Sequence, residues 1–61
     1  MFKVSMYSSY LNKYLEMDDK GLGLFEACYR ADLYAKRNRS ATFFVINEEN
    51  GDIEYETKGG E

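Results

Sequence analysis

Residues 40 to 61 read SATFFVINEENGDIEYETKGGE, and four large apolar residues stand in a row near the start: Phe43, Phe44, Val45 and Ile46. A strand with one buried face needs apolar side chains only at alternate positions. In strand form Ala41, Phe43 and Val45 share one face while Phe44 and Ile46 share the other, so both faces of this segment are apolar. The turn sequence Glu48, Glu49, Asn50, Gly51 follows, and Asn-Gly supplies the positive φ angles a tight hairpin needs. The spacing predicts a hairpin of strands 41–47 and 52–57.

Upstream, residues 23–39 (GLFEACYRADLYAKRNR) place Leu24, Ala27, Cys28, Ala31, Tyr34 and Ala35 on one face at three- and four-residue spacing. Glu26 to Arg30 and Asp32 to Lys36 are acid-to-base pairs four residues apart, and Lys36, Arg37 and Arg39 suit the negative end of a helix dipole. This segment reads as a helix. At the N-terminus Phe2, Val4 and Met6 alternate with Lys3, Ser5 and Tyr7, the period of a strand over residues 2–8. Residues 10–17 (YLNKYLEM) fit either a helical turn or a strand; their tyrosines and the following Asp18, Asp19, Lys20, Gly21 favour the strand. The expected fold is α+β, a small antiparallel sheet of three or four strands with one helix across one face, in the order β-(β)-α-β-β. Residues 1–57 form its single domain, and residues 58–61 read as a frayed tail.

A single helix covers one sheet face only, which leaves the other apolar face of strand 41–47 without a lid. Two explanations stand side by side. Long side chains such as Tyr7 and Lys3 could shield that face, or it is an interface with a second copy or with a different protein. Phe44 and Ile46, the larger pair, are expected to pack on Ala27, Ala31 and Ala35, and Phe43, Val45 and Tyr55 to face the partner.

The composition narrows the classes further. With 44% hydrophobic residues and ten Phe and Tyr among 61, the chain is too apolar for the disordered class. One cysteine and no histidine exclude an intramolecular disulfide and a structural zinc site. The polar residues scattered through the N-terminus leave no run suited to a signal peptide or membrane span, so a reducing cytoplasm is the expected location. The sequence NEENGD imitates a calcium loop, but the position of the first ligand falls on Ile46. Gly21 and Gly23 lack the rest of a phosphate-binding fingerprint, and Asp18 and Asp19 read as a solvated turn. Cys28 has no histidine to activate it and sits among alanines, which suits a core thiol. Neither catalysis nor a metal or other cofactor is expected.

Binding is what remains. Glu48, Glu49, Asp52, Glu54 and Glu56 make an acidic hairpin beside an aromatic face, a combination that suits a basic or nucleic-acid-binding protein partner. The same charges could instead protect an edge strand from aggregation. The alternative is a small nucleic-acid-binding regulator using Arg30, Lys36, Arg37 and Arg39, which a net charge of −3 disfavours. The run GLGLFEACYRADLYA (21–35) followed by FFVINEENGDIEYET (43–57) resembles small accessory proteins of bacteriophages, in which a helix containing Glu-Ala precedes an aromatic hairpin. The resemblance implies a small viral inhibitor or modulator of a host protein, acting in the host cytoplasm.

Overall fold

Alternation of apolar and polar residues is realised at the N-terminus as β1 (Phe2–Ser8), the strand around which the rest assembles. The computed structural model describes residues 1–59 and continues with β2 (Lys13–Glu16), α1 (Leu24–Arg37), β3 (Ala41–Asn47) and β4 (Ile53–Lys58). The strands form one antiparallel sheet in the order β2-β1-β3-β4, with α1 packed across one face. Residues 10–17 therefore resolve as a turn followed by a short strand. Asn12 takes a positive φ of 55° in that turn, a conformation Asn tolerates better than most residues.

Register decides which side chains the helix covers. Val4 stands opposite Val45 and Met6 opposite Phe43, and residues directly opposite in a sheet point to the same face. The apolar set of β1 is buried under α1, so Phe43 and Val45 must be buried with it. Val4, Ala27, Ala31, Ala35, Ala41, Phe43 and Val45 form the core, with Phe43 and Val45 at 0% exposure. The three alanines on one helix face let α1 approach the sheet closely, and the Phe43 ring fills the space beside them, 5.7 Å from the ring of Tyr34. This reverses the expected assignment: Phe44, opposite Ser5, and Ile46, opposite Lys3, lie on the uncovered face.

The helix is two residues shorter than its charge pattern suggested at the C-terminus. Asn38 caps it, its side-chain amide donating to the Tyr34 carbonyl at 2.8 Å and its backbone N–H to Ala35 O at 3.4 Å. Gly23 stands at the N-cap and offers no side chain to the first turn. The β3–β4 connection needs only one residue of positive φ, Gly51 at 78°, and Asn50 does not share it. Asn47 closes the loop by accepting from Gly51 N–H and donating to Asp52 O, each at 2.8 Å. A bulge leaves Glu54 without a partner between Val45↔Tyr55 and Ile46↔Ile53. Lys58 belongs to β4, and Gly59 donates its N–H to Ala41 O at 2.9 Å. The remainder of the expected frayed tail, residues 60–61, lies outside the described residues.

The connection from β2 to α1 is held along the edge of β1 that β2 leaves free. Phe2 and Leu22 exchange backbone hydrogen bonds at 2.8 and 3.0 Å, and Val4 N–H donates to Asp19 O at 2.9 Å. Asp19, read from sequence as solvated, is buried at 9% exposure. Its carboxylate accepts from Arg30 Nη1 at 2.7 Å and from the Tyr34 hydroxyl at 2.8 and 2.9 Å. A carboxylate so placed escapes the desolvation penalty only because its oxygens are satisfied by a cation and a hydroxyl.

Candidate interaction surfaces

The sheet face away from α1 carries a run of aromatic rings contributed by three strands. Tyr7 of β1 and Tyr14 of β2 stand directly opposite one another with ring centroids 4.8 Å apart. Tyr14 also lies 6.2 Å from the ring of Phe44 on β3. Tyr14 is 70% exposed and Ile53 59% exposed, whereas Phe44 and Ile46 are half-buried. Lys3 bridges to Glu16 at 3.5 Å along the rim, and the Tyr7 hydroxyl donates to the Asn12 side chain. The shielding expected of Tyr7 and Lys3 is thus partly present, but an apolar centre with a charged border stays accessible.

The acidic hairpin adjoins this face at one corner. Glu48 is fixed to the chain beneath it: its carboxylate accepts from Gly21 N–H at 2.7 Å and its N–H donates to Met1 O at 2.9 Å. Glu49, Asp52, Glu54 and Glu56 are exposed and make no ion pair among the described residues. Of the residues assigned to a partner from sequence, these acidic side chains are accessible, while Phe43 and Val45 are sealed under α1. Tyr55 is half-buried on the helix side, where its hydroxyl donates to Asp32 Oδ1 at 2.8 Å. That bond raises the Tyr55 pKa above its ordinary value, with burial adding to it. Tyr14 and Ile53 are the exposed apolar residues of this face that sequence reasoning passed over, because only the register places Tyr14 beside Phe44 and Ile53 opposite Ile46.

Of the cations read as nucleic-acid contacts, Arg30 does not line the groove that holds Lys36 and Arg39. Arg30 is held by Asp19 and by Glu26, whose Oε2 accepts from Nε at 2.8 Å, and these bonds raise the guanidinium pKa further. The Asp19 pKa is lowered chiefly by the hydrogen bond from Arg30, against the opposing effect of burial. Arg30 is therefore committed within the fold. Lys36, Arg39 and Lys58 instead line a groove of about 400 Å³ between α1 and β4, together with Tyr29, Asp32 and Leu33. Asp32 pairs with Tyr55 rather than with Lys36, which leaves that lysine without an ion-pair partner among the described residues.

Cys28 is half-buried against the core, and burial raises its thiol pKa, with the nearby charge of Asp32 acting in the same direction. Among the described residues no group of three His, Cys, Asp or Glu side chains could hold a metal ion. No helix among them is long and apolar enough to cross a membrane. Comparison of the chain with protein-family models, with curated proteins and with solved structures finds no match in any of the three.

Proposed function

We propose that the protein is a non-catalytic module that binds another protein through the open aromatic sheet face and the acidic hairpin beside it. The supporting observation is the Tyr7, Tyr14 and Phe44 run, bordered by Ile46 and Ile53, on a face that no element of the described chain covers. Rings of limited rotamer freedom at the centre with charge at the rim are the arrangement of a protein-binding patch. Glu49, Asp52, Glu54 and Glu56 give one side of the patch a single sign, so the partner presents apolar side chains next to a basic rim. The rim charges act on encounter rate and orientation, and the rings supply most of the affinity. The one thiol suits a reducing cytoplasm, and the resemblance of residues 21–57 to phage accessory proteins suits a modulator of a host protein.

The test uses the purified chain as bait, followed by kinetics on the captured partner in purified form. Tyr14→Ala leaves the fold intact and accelerates dissociation. Neutralising Glu49, Asp52 and Glu54 together slows association and flattens its salt dependence. A partner held equally by the wild-type and both variant proteins refutes the assignment of this surface. Affinity for single-stranded DNA or RNA that falls steeply with salt and with Lys36→Ala and Arg39→Ala would establish the nucleic-acid reading in its place.

A further inference from the structure

We propose that a second copy of this chain pairs with the open edge of β4, joining the two four-stranded sheets about a two-fold axis through Thr57. The argument begins with the direction of backbone groups along β4. Gly59 N–H bonds to Ala41 O, and bonded and non-bonded pairs alternate along an antiparallel ladder. With Thr57 opposite Phe43 and Tyr55 opposite Val45, Thr57 and Tyr55 turn their N–H and C=O toward β3. Glu56 and Lys58 therefore turn theirs outward, to an edge with which no other described strand pairs. An uncovered edge of this length is a template for another strand.

The charges on β4 then select both the occupant and the register. The strand is acidic where it begins, at Glu54 and Glu56, and basic where it ends, at Lys58, with Lys36 and Arg39 lining the groove beside that end. An antiparallel copy of the same strand presents the opposite order, so acidic end meets basic end twice. Side chains opposite one another must share a face, which allows only registers centred on a residue. Centred on Tyr55, Glu54 faces the partner's Glu56; centred on Glu56, that residue faces itself; centred on Lys58, two lysines meet. Only the register centred on Thr57 sets Glu56 opposite the partner's Lys58 on both sides of the axis, with Thr57 against the partner's Thr57 between them. Opposite charges and paired threonines across strands are favourable, and like charges directly opposite are not.

The helix supplies a second, separate observation. Phe25 is 88% exposed and Tyr29 63% exposed; they stand four residues apart on α1, with Leu33 four further on. Tyr29 and Leu33 line the groove beside β4, so this apolar stripe lies on the side of the helix nearest the free edge. In the two-fold arrangement both helices lie on the same side of the joined sheet. The two stripes then face one another across the axis, where they exclude water from the groove and add apolar area to the paired edges.

Sedimentation velocity on the full chain, with circular dichroism to verify folding, tests this. The wild-type protein is expected to sediment as a species of twice 7.1 kDa. Lys58→Glu and Glu56→Lys should each raise the dimer dissociation constant by about tenfold or more, since each turns both cross-strand attractions into repulsions. The double swap, Glu56→Lys with Lys58→Glu, should restore it to within about threefold, as the pairs are remade with exchanged sign. Glu56→Pro removes an outward N–H together with the Glu56 carboxylate, and should give a folded monomer. A wild-type chain monomeric at millimolar concentration overturns the proposal. So does a dimer indifferent to Lys58→Glu, a double swap that fails to restore pairing, or a dimer lost in Phe44→Ala but kept in Glu56→Pro, which would assign the second copy to the open sheet face.

Discussion

Phe43→Ala and Phe44→Ala remove the same atoms from neighbouring residues, yet the structure gives them different consequences. Phe43 has no exposed surface and fills the space between the alanine face of α1 and the centre of the sheet. Truncating it opens a void within the cluster that Phe43 forms with Val4, Val45 and the alanines of α1. The expected cost is about 3 to 5 kcal/mol. A domain of this size rests on about 3 to 5 kcal/mol in total, so the variant should be largely unfolded at 25 °C. Phe44 keeps one side toward solvent, and its main partner is the Tyr14 ring at 6.2 Å. Loss of one aromatic pair together with half-buried apolar area should cost about 1 to 2 kcal/mol. Urea titration followed by far-ultraviolet circular dichroism measures both. The expected result is no cooperative transition for Phe43→Ala, and for Phe44→Ala a lower midpoint with unchanged slope, since the surface exposed on unfolding hardly changes. Equal destabilisation by the two substitutions, or a folded Phe43→Ala, would refute the face assignment and everything built on the open side of the sheet.

The Asp19 carboxylate has a folded-state pKa below its usual 3.8, so the stability it contributes is present above the unfolded value and is lost as pH falls through the folded one. The gap in stability between the wild-type protein and Asp19→Asn should therefore be widest at neutral pH and narrow below pH 3.8; a gap independent of pH over that range contradicts the network. Tyr55 titrates above its ordinary 10.0 because of Asp32, so its stabilising bond is kept below that pH and lost as pH rises through the shifted value. Tyr34 is raised likewise by its hydrogen bond to Asp19, so ultraviolet titration should show two late phenolates, of which one disappears in Tyr55→Phe. A Cβ on Gly59 would collide with the Asn38 carbonyl oxygen, so Gly59→Ala must push the end of β4 off the helix terminus and should lower the melting midpoint by about 4 to 8 °C for each 1 kcal/mol lost. An unchanged midpoint would show that the end of β4 moves freely.

What the sequence discloses here is local order, and what it withholds is register. The limits of β1 and β3, the helix and the hairpin turn follow from periods of two and of three to four residues together with Asn50 and Gly51, signals that need no knowledge of what packs on them. Which face of β3 is the core face depends on how β3 lies against β1. A slip of one residue would place Phe44 opposite Val4 and exchange the two faces along the whole strand. Both arrangements match the composition of FFVI, and size alone points to Phe44 and Ile46, because a face of three alanines leaves room for two large side chains. In the structure one ring is enough, since the alanines bring the helix down onto the sheet and Tyr34 reaches in from the helix to meet Phe43. Asp19 was hidden for a similar reason. Nothing local distinguishes it from Asp18; it is buried because the chain runs along β1 before entering α1, which delivers its carboxylate to Arg30 and Tyr34. The acidic hairpin is legible because exposed charge depends little on register, whereas the side on which Phe43 or Phe44 stands depends on it wholly. The same parity that sends Phe44 outward brings Tyr7 and Tyr14 to it, and a single slip of β3 would have left those tyrosines beside Phe43 instead. The FFVI run is therefore a structural commitment on both sides of the sheet: its odd residues hold the helix, and its even residues make a surface that the described chain leaves open.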